Sequence, residues 1–380
     1  MKKTGGFNTT CVHAGTAMQE HTKAANTPIV ASTAYSYLDT EMKYPRMFNL
    51  VNQNALAQKI AALEKAESGL VFGSGLGAIS VVLMGLLQPG DELLIQSNIY
   101  GGTYMFLESQ LKKIGVTIKM FPTHHEVDIL PYITPKTKLI YIETPANPLL
   151  DMVDIEQIAR VAKNQKIVSV IDNTFASPYC QTPIELDVDI VIHSGTKYLA
   201  GHSDLIFGAI VSSNEIIETL RKTAMAYGSV LDAKAAAEAE KSLKTLGLRM
   251  GKQAENAFEL AKLLKDHPKV EKVFYPGLSD HPGHDVAKKQ MKAFGAMVSF
   301  QLNKEIDAIE VQRNLELIMP SVSLGGIESL ICSPHLTSHK FVPENERLKM
   351  GITNQTLRFS VGIEEVEDLM ADLDRAILRA

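Results

Sequence analysis

Between residues 54 and 211 short apolar runs alternate with helically spaced ones. The runs Gly69–Phe72, Glu92–Gln96, Val116–Phe121, Lys138–Ile142, Ile167–Ile171, Asp189–His193 and Ile206–Val211 are mostly β-branched or aliphatic and predict strands. Consecutive apolar positions suit strands covered on both faces. Helical spacing begins near Asn54, with Leu56, Ile60 and Leu63 on one face, and returns over Gly77–Leu87, Gly102–Lys113 and Ile155–Lys163. This alternation predicts an α/β fold, a mostly parallel seven-stranded sheet with helices on both faces. In such sheets ligands gather outside the carboxyl ends of the strands.

The flanks read differently. Residues 1–50 show no period and are punctuated by Asn26-Thr-Pro-Ile29, Ser32-Thr33 and Tyr44-Pro-Arg46, which predicts an arm laid on a neighbouring subunit. After Ile210 the pattern predicts one long helix from Asp232 to about Asp266, then a strand and loop at Val273–Gly277 and a strand at Ala296–Phe300. A final helix, Glu364–Arg379, carries Val366, Leu369, Leu373 and Ile377. The expected organisation is an arm over 1–50, a large domain over 51–245 and a smaller C-terminal α+β domain over 246–380.

Composition narrows the class. Hydrophobic residues at 45% and charged ones at 21% indicate a globular chain, not a disordered one. Lys and Arg number 38 against 43 Asp and Glu, a net charge of −5 without basic runs, which argues against nucleic-acid or anionic-membrane partners. Cys11, Cys180 and Cys332 are scattered and form no CxxC pair. His13, His124, His125 and His339 show no metal spacing, so they are read as surface or loop residues and no metal is expected. No apolar run follows Met1-Lys-Lys-Thr-Gly-Gly6, and Leu76–Leu87 is well short of the roughly 20 residues of a membrane span. The expected location is cytoplasmic.

The chemistry centres on His193-Ser-Gly-Thr-Lys197, directly after a buried strand. A lysine there can be desolvated, which lowers its pKa and prepares it for Schiff-base chemistry. The strand Ile167–Ile171 ends in Asp172, an acid that burial would penalise unless it met a cation. A pyridinium nitrogen is such a cation, and pyridoxal phosphate (PLP), which carries one, needs a lysine at its other end. Each residue alone is as well explained by a solvated lysine or a turn-capping aspartate; the pair on successive strand ends favours the cofactor. Gly73-Ser-Gly-Leu-Gly77 joins a strand to a helix and suits an anion at the helix N-terminus, although a plain tight turn accounts for it equally. Ser194 and Thr196 would add hydroxyls to a phosphate. Tyr100, beside two glycines, could stack on a flat ring. Asn147 follows a strand in a proline-rich turn, and Arg358 lies in the apolar run Leu357–Val361, where it either pairs with a substrate carboxylate or sits on an exposed edge.

Taken together, the chain resembles the Cys/Met metabolism PLP-dependent enzymes. The likeness rests on Thr10–Gly15, Glu143–Pro148, Ile171–Phe175, His193–Tyr198, Lys244–Arg249, Ser323–Ser329 and Arg358–Gly362, in that order. It implies a PLP-dependent transferase fold of type I and a homotetramer, a dimer of dimers with shared active sites. It implies that Lys197 binds PLP covalently and moves protons, that Asp172 pairs with the ring nitrogen, and that Thr174 lies near the ring. Gly75, Leu76, Ser194 and Thr196 would hold the phosphate, with Tyr44 and Arg46 reaching it from the neighbouring subunit. Tyr100 would stack on the ring and share in catalysis, while Asn147, Ser323 and Arg358 would orient the substrate. The implied activity is that of a carbon–sulfur lyase working by γ-elimination on a methionine-, homocysteine- or cystathionine-like amino acid. A γ-replacement synthase is the alternative, and a type I aminotransferase or a non-catalytic PLP protein are alternatives of other classes. The chain departs from the family pattern at Tyr44-Pro-Arg46, which is followed by Asn49-Leu-Val51, and at Gly102, where methionine γ-lyases typically carry cysteine. It departs again at Val322, where enzymes handling cystathionine commonly place glutamate.

Overall fold

The computed structural model describes residues 5–17, 23–340 and 342–380. Its larger sheet is built from β1 (Ser68–Phe72), β2 (Glu92–Gln96), β3 (Thr117–Phe121), β4 (Thr137–Glu143), β5 (Val168–Asp172), β6 (Ile190–Ser194) and β7 (Gly208–Ser212). The spatial order is β1-β7-β6-β5-β4-β2-β3. All neighbours pair in parallel except β7, which runs antiparallel to both β1 and β6.

Side chains along these strands enter two cores in turn. Leu93, Ile95, Leu139, Tyr141, Val170, Ile190, Ile192 and Ile210 face one, while Leu94, Ile140, Ile142, Ile171, Val191 and Val211 face the other. That two-residue alternation is why the strands read as continuous apolar runs. The second core is closed by α1 (Phe7–His13), α2 (Val51–Glu64), α5 (Ile155–Gln165), α6 (Ser177–Cys180), α8 (Ala233–Leu243) and α9 (Leu246–Lys265). The first is closed chiefly by α3 (Gly75–Leu86), α4 (Gly101–Phe106) and α7 (Asn214–Tyr227). Side-chain caps set several of the starts: Ser74 accepts from Gly77 N, Asp154 from Gln157 N and Asp232 from Lys234 N.

A second sheet of five strands follows: β8 (Val270–Phe274), β9 (Met297–Leu302), β10 (Met319–Pro320), β11 (Leu330–Cys332) and β12 (Thr356–Ser360). Its order is β10-β11-β12-β9-β8, so β12 is an inner strand. The final helix, Val366–Arg379, buries Leu369, Leu373 and Ile377 completely.

Several boundaries differ from the sequence expectation, each for a local reason. The long helix of 232–266 is two helices broken at Lys244–Thr245. Arg249 explains the break: it donates to Ser242 O at 3.1 Å and, across the gap, to Tyr198 O at 2.9 Å. The last strand of the large sheet starts at Gly208, not Ile206, because Thr196 takes up both backbone groups of Phe207 through its N–H and hydroxyl. The helix expected over 102–113 is regular only to Phe106 and continues as a wider turn over Leu107–Leu111. Within the expected arm, residues 1–4 and 18–22 lie outside the described residues, and α1 is a helix the pattern did not announce. Among the described residues no helix is long and apolar enough to cross a membrane.

Candidate active site

The carboxyl ends of β4, β5 and β6 open into a cavity of about 560 Å³, closed on its far side by residues 322–324, Thr337, Ser338 and Arg358. Gly75, Tyr100, Asn147, Asp172, Thr174, Ser194, Thr196, Lys197, Val322, Ser323 and Arg358 all line it. Three residues singled out in the sequence do not. Leu76 sits in the first turn of α3 with its side chain half-exposed. Tyr44 and Arg46 lie elsewhere on the chain, where Arg46 donates to Met225 O and stands 5.8 Å from the Tyr44 ring centroid.

Lys197 follows β6 in a tight turn. Its N–H donates to Ser194 O, and its own carbonyl accepts from Gly201 N. Arg249 fastens the next two carbonyls, those of Tyr198 and Leu199. The Lys197 Nζ lies 3.1 Å from Ser323 Oγ. Burial first, and the Arg358 charge second, push its pKa below the usual range. A lysine held this way keeps more of its amine neutral and nucleophilic near neutral pH.

Asp172 ends β5. Its Oδ1 accepts from the Thr174 N–H at 3.0 Å and from the Thr174 hydroxyl, and its Oδ2 is 3.5 Å from the Tyr141 hydroxyl. Thr174 Oγ1 in turn accepts from Ser194 N at 2.8 Å, so the two strand ends are laced together. Beside Asp172, in register on β4, stands Glu143, which receives the Tyr100 N–H on both oxygens at 3.0 and 2.9 Å. Burial, with the Asp172 charge adding to it, holds the Glu143 carboxyl well above its ordinary range, and burial also raises Asp172. Adjacent desolvated carboxylates resist joint ionisation, and a cation at their end of the cavity relieves both.

The anion side is formed by α3. Ser74 takes the N–H of Gly77, and the first N–H groups, those of Gly75 and Leu76, have no acceptor within the helix. A Cβ at Gly75 would meet Ser194 Cβ at 2.7 Å and Ser194 Oγ at 2.9 Å, so only glycine leaves this cradle open. On the opposite wall Arg358 is buried on β12, donating to Asn147 Oδ1 at 2.9 Å and, at 3.4 Å, to the carbonyls of Val322 and Ser323. Its Nε is buried without a partner among the described residues. The alternative of an arginine on an exposed edge is therefore excluded.

Some participants escaped the sequence reading. Glu143 could have been found by the argument applied to Asp172, an acid at a buried strand end. Tyr141, Thr337 and Ser338 offered no such signal. His339, expected at the surface, is buried, and burial together with the Arg358 and Arg347 charges pushes its pKa down to about 4. Gly102 has a local reason: a Cβ there would stand 2.4 Å from the Tyr100 ring.

A desolvated lysine, a carboxylate pair that calls for a cation and an open anion cradle match the imine carbon, ring nitrogen and phosphate of one molecule. On the carboxyl edge of this α/β sheet they define a type I pyridoxal-phosphate enzyme. The chain belongs to the Cys/Met metabolism PLP-dependent enzymes, a family that matches residues 8–378. It is 39% identical to the cystathionine gamma-lyase of Bacillus subtilis, over 97% of this chain and 98% of that protein. It is also 39% identical to the L-methionine gamma-lyase of Fusobacterium nucleatum, over 99% of both. The crystal structure of cystathionine gamma-lyase from Lactobacillus plantarum complexed with L-serine superposes with a TM-score of 0.95 at 38% identity, covering 98% of this chain and 99% of that one.

Borohydride reduction of the wild-type holoenzyme is expected to fix the cofactor to the peptide carrying Lys197, read by mass spectrometry. Lys197→Ala should bind cofactor that washes away after reduction; a reduced adduct in that variant would move the attachment point to another amine.

Proposed function

We propose that this protein is a carbon–sulfur lyase that removes a γ-thiol from a short sulfur amino acid, methionine or homocysteine, giving the thiol, 2-oxobutanoate and ammonia. The observation that carries the reading is the distribution of charge in the cavity. Its charged lining residues are Glu143, Asp172, Lys197 and Arg358, and each has a place at the inner end. The outer wall adds Val322 and Ile206, 72% and 67% exposed, and among the described residues no further charged group that would receive a distal ammonium or carboxylate. An apolar S-substituent suits that wall better than the charged far half of cystathionine. The lyase relatives support the reaction type.

In this reading Arg358, with its free Nε and its hydrogen bond to Asn147, takes the substrate carboxylate. Asp172 keeps the ring nitrogen protonated, Thr174 steadies Asp172, and Tyr100 covers the ring. Gly75, Leu76, Ser194 and Thr196 hold the phosphate. The bound cofactor supplies the electron sink that makes the substrate Cα–H acidic. Lys197 Nζ would be the base at Cα and, once it has passed that proton on to the electron sink, the base at Cβ; the γ-sulfur would leave with its bonding pair and take up a proton, and water would release 2-oxobutanoate and ammonia. Ser323 Oγ, 3.1 Å from Nζ, aims the amine.

The chain is read as an arm over 1–50, a cofactor domain over 51–245 and a C-terminal domain over 246–380, assembled as a homotetramer in the cytoplasm. Tyr37, Leu38, Met42 and Tyr44 are exposed apolar side chains on the arm, the kind of surface a neighbouring subunit covers. In that assembly Tyr44 and Arg46 reach the neighbour's phosphate.

The test is product analysis with L-methionine, L-homocysteine, L-cystathionine and O-acetylhomoserine plus sulfide. The reading expects 2-oxobutanoate and ammonia from methionine or homocysteine at higher kcat/KM than from cystathionine. Homocysteine formed only from the acylated substrate would instead make the enzyme a γ-replacement synthase. Arg358→Ala is expected to raise KM by the ~1.5–3 kcal/mol of a charge-assisted contact, on the order of ten- to a hundredfold; an unchanged KM places the carboxylate elsewhere. Mixing inactive Arg46→Ala with inactive Lys197→Ala subunits should restore part of the activity, since some sites would then draw both intact residues. No recovery from exchanged oligomers would confine each site to one chain.

A further inference from the structure

The helix α2 ends on Glu64, whose side chain is fully buried. The position disfavours a carboxylate twice, through desolvation and through the negative end of the helix. Its Oε1 lies 2.6 Å from His193 Nε2 and accepts from Asn173 Nδ2 at 2.7 Å, while Oε2 is buried with no hydrogen-bond partner among the described residues. Both partners are immediate neighbours of cavity residues. Asn173 stands between Asp172 and Thr174, and His193 directly precedes Ser194. Along an extended backbone successive side chains alternate, so Asn173 and His193 reach the α2 side while their neighbours line the cavity.

Asn173 is held further by Gln181, which donates to its Oδ1 at 2.8 Å and to Thr144 O at 2.7 Å. One carboxylate therefore clasps the ends of β5 and β6 from behind the reaction centre. Stability alone does not call for this arrangement, since apolar packing of the same volume is often as favourable as a buried ion pair.

We propose that Glu64 is a positioning residue for the reaction: through Asn173 and His193 it sets the register of Asp172 against the Lys197 turn and holds the His193 ring against its own carboxylate. A positive His193 favours the ionised form of Asp172. The other titratable groups facing Asp172 are Tyr141 and Glu143 on β4. Burial is what opposes ionisation of Asp172, and His193 stands on the side away from the cavity, where charge on its ring offsets that burial. The proposal rests on the assignment of Asp172 to the ring nitrogen.

The experiment uses the Glu64→Gln holoenzyme, which keeps an acceptor for Asn173 and removes the charge. We expect kcat to fall roughly tenfold, the scale at which outer orienting partners act, with KM unchanged because Arg358 belongs to the other sheet. The pH midpoint of the bound cofactor's visible absorbance should also move upward, since its linkage to Lys197 holds a proton more tightly when the ring nitrogen is less charged. Unchanged kcat and midpoint overturn the proposal. Where Glu64→Gln fails to fold, His193→Gln, whose amide still donates to Glu64, takes the same two measurements with the same expectations. Asp172→Asn is run in parallel. A shifted spectrum there with an unshifted one in the Glu64 variant sinks the proposal alone, and an unshifted spectrum in both sinks the Asp172 assignment with it.

Discussion

Two carboxyl groups set side by side at the ends of β4 and β5, shielded from water, cannot easily carry two negative charges. The structure answers that constraint from several directions. Thr174 donates to Asp172 twice, the Tyr100 N–H is shared between the oxygens of Glu143, and His193 stands behind the pair against a third buried acid, Glu64. What remains unmet is a positive charge on the cavity side. The family's cofactor, pyridoxal phosphate, carries a ring nitrogen that can take up a proton, the kind of charge this end of the cavity calls for.

The substrate end is governed by the same economy of charge. Arg358 is a buried cation with a polar partner in Asn147 but no carboxylate among the described residues, and its charge near Lys197 helps to lower that amine's pKa. Among the described residues lining the cavity, Arg358 and Lys197 are the two basic side chains. The outer wall presents Val322 and Ile206, so the lining grades from charged side chains to exposed apolar ones.

Much of this was legible before any coordinates. A parallel sheet buried on both faces forces long apolar runs, and those runs located all seven strands of the large sheet and, through their ends, Asp172 and Lys197. Side-chain reach is what one-dimensional pattern does not carry. Glu64 gave no signal in the sequence, because its partners lie more than a hundred positions away in His193 and Asn173. His339 looked like a loop residue for the same reason, its burial depending on packing near Arg358 that no local period encodes. The helix break at Lys244–Thr245 was likewise invisible, since Arg249 imposes it from a distance by holding the carbonyls of the lysine turn.

That last tether has a consequence for how the pocket is completed. The turn bearing Lys197 is fastened by a side chain about fifty residues later, and the groups facing it, Ser323 on the loop between β10 and β11 and Arg358 on β12, arrive later still. The cavity thus gains its far wall only from the last third of the chain, whose apolar side chains share one core with the large sheet, so completing the pocket and completing the core are a single event.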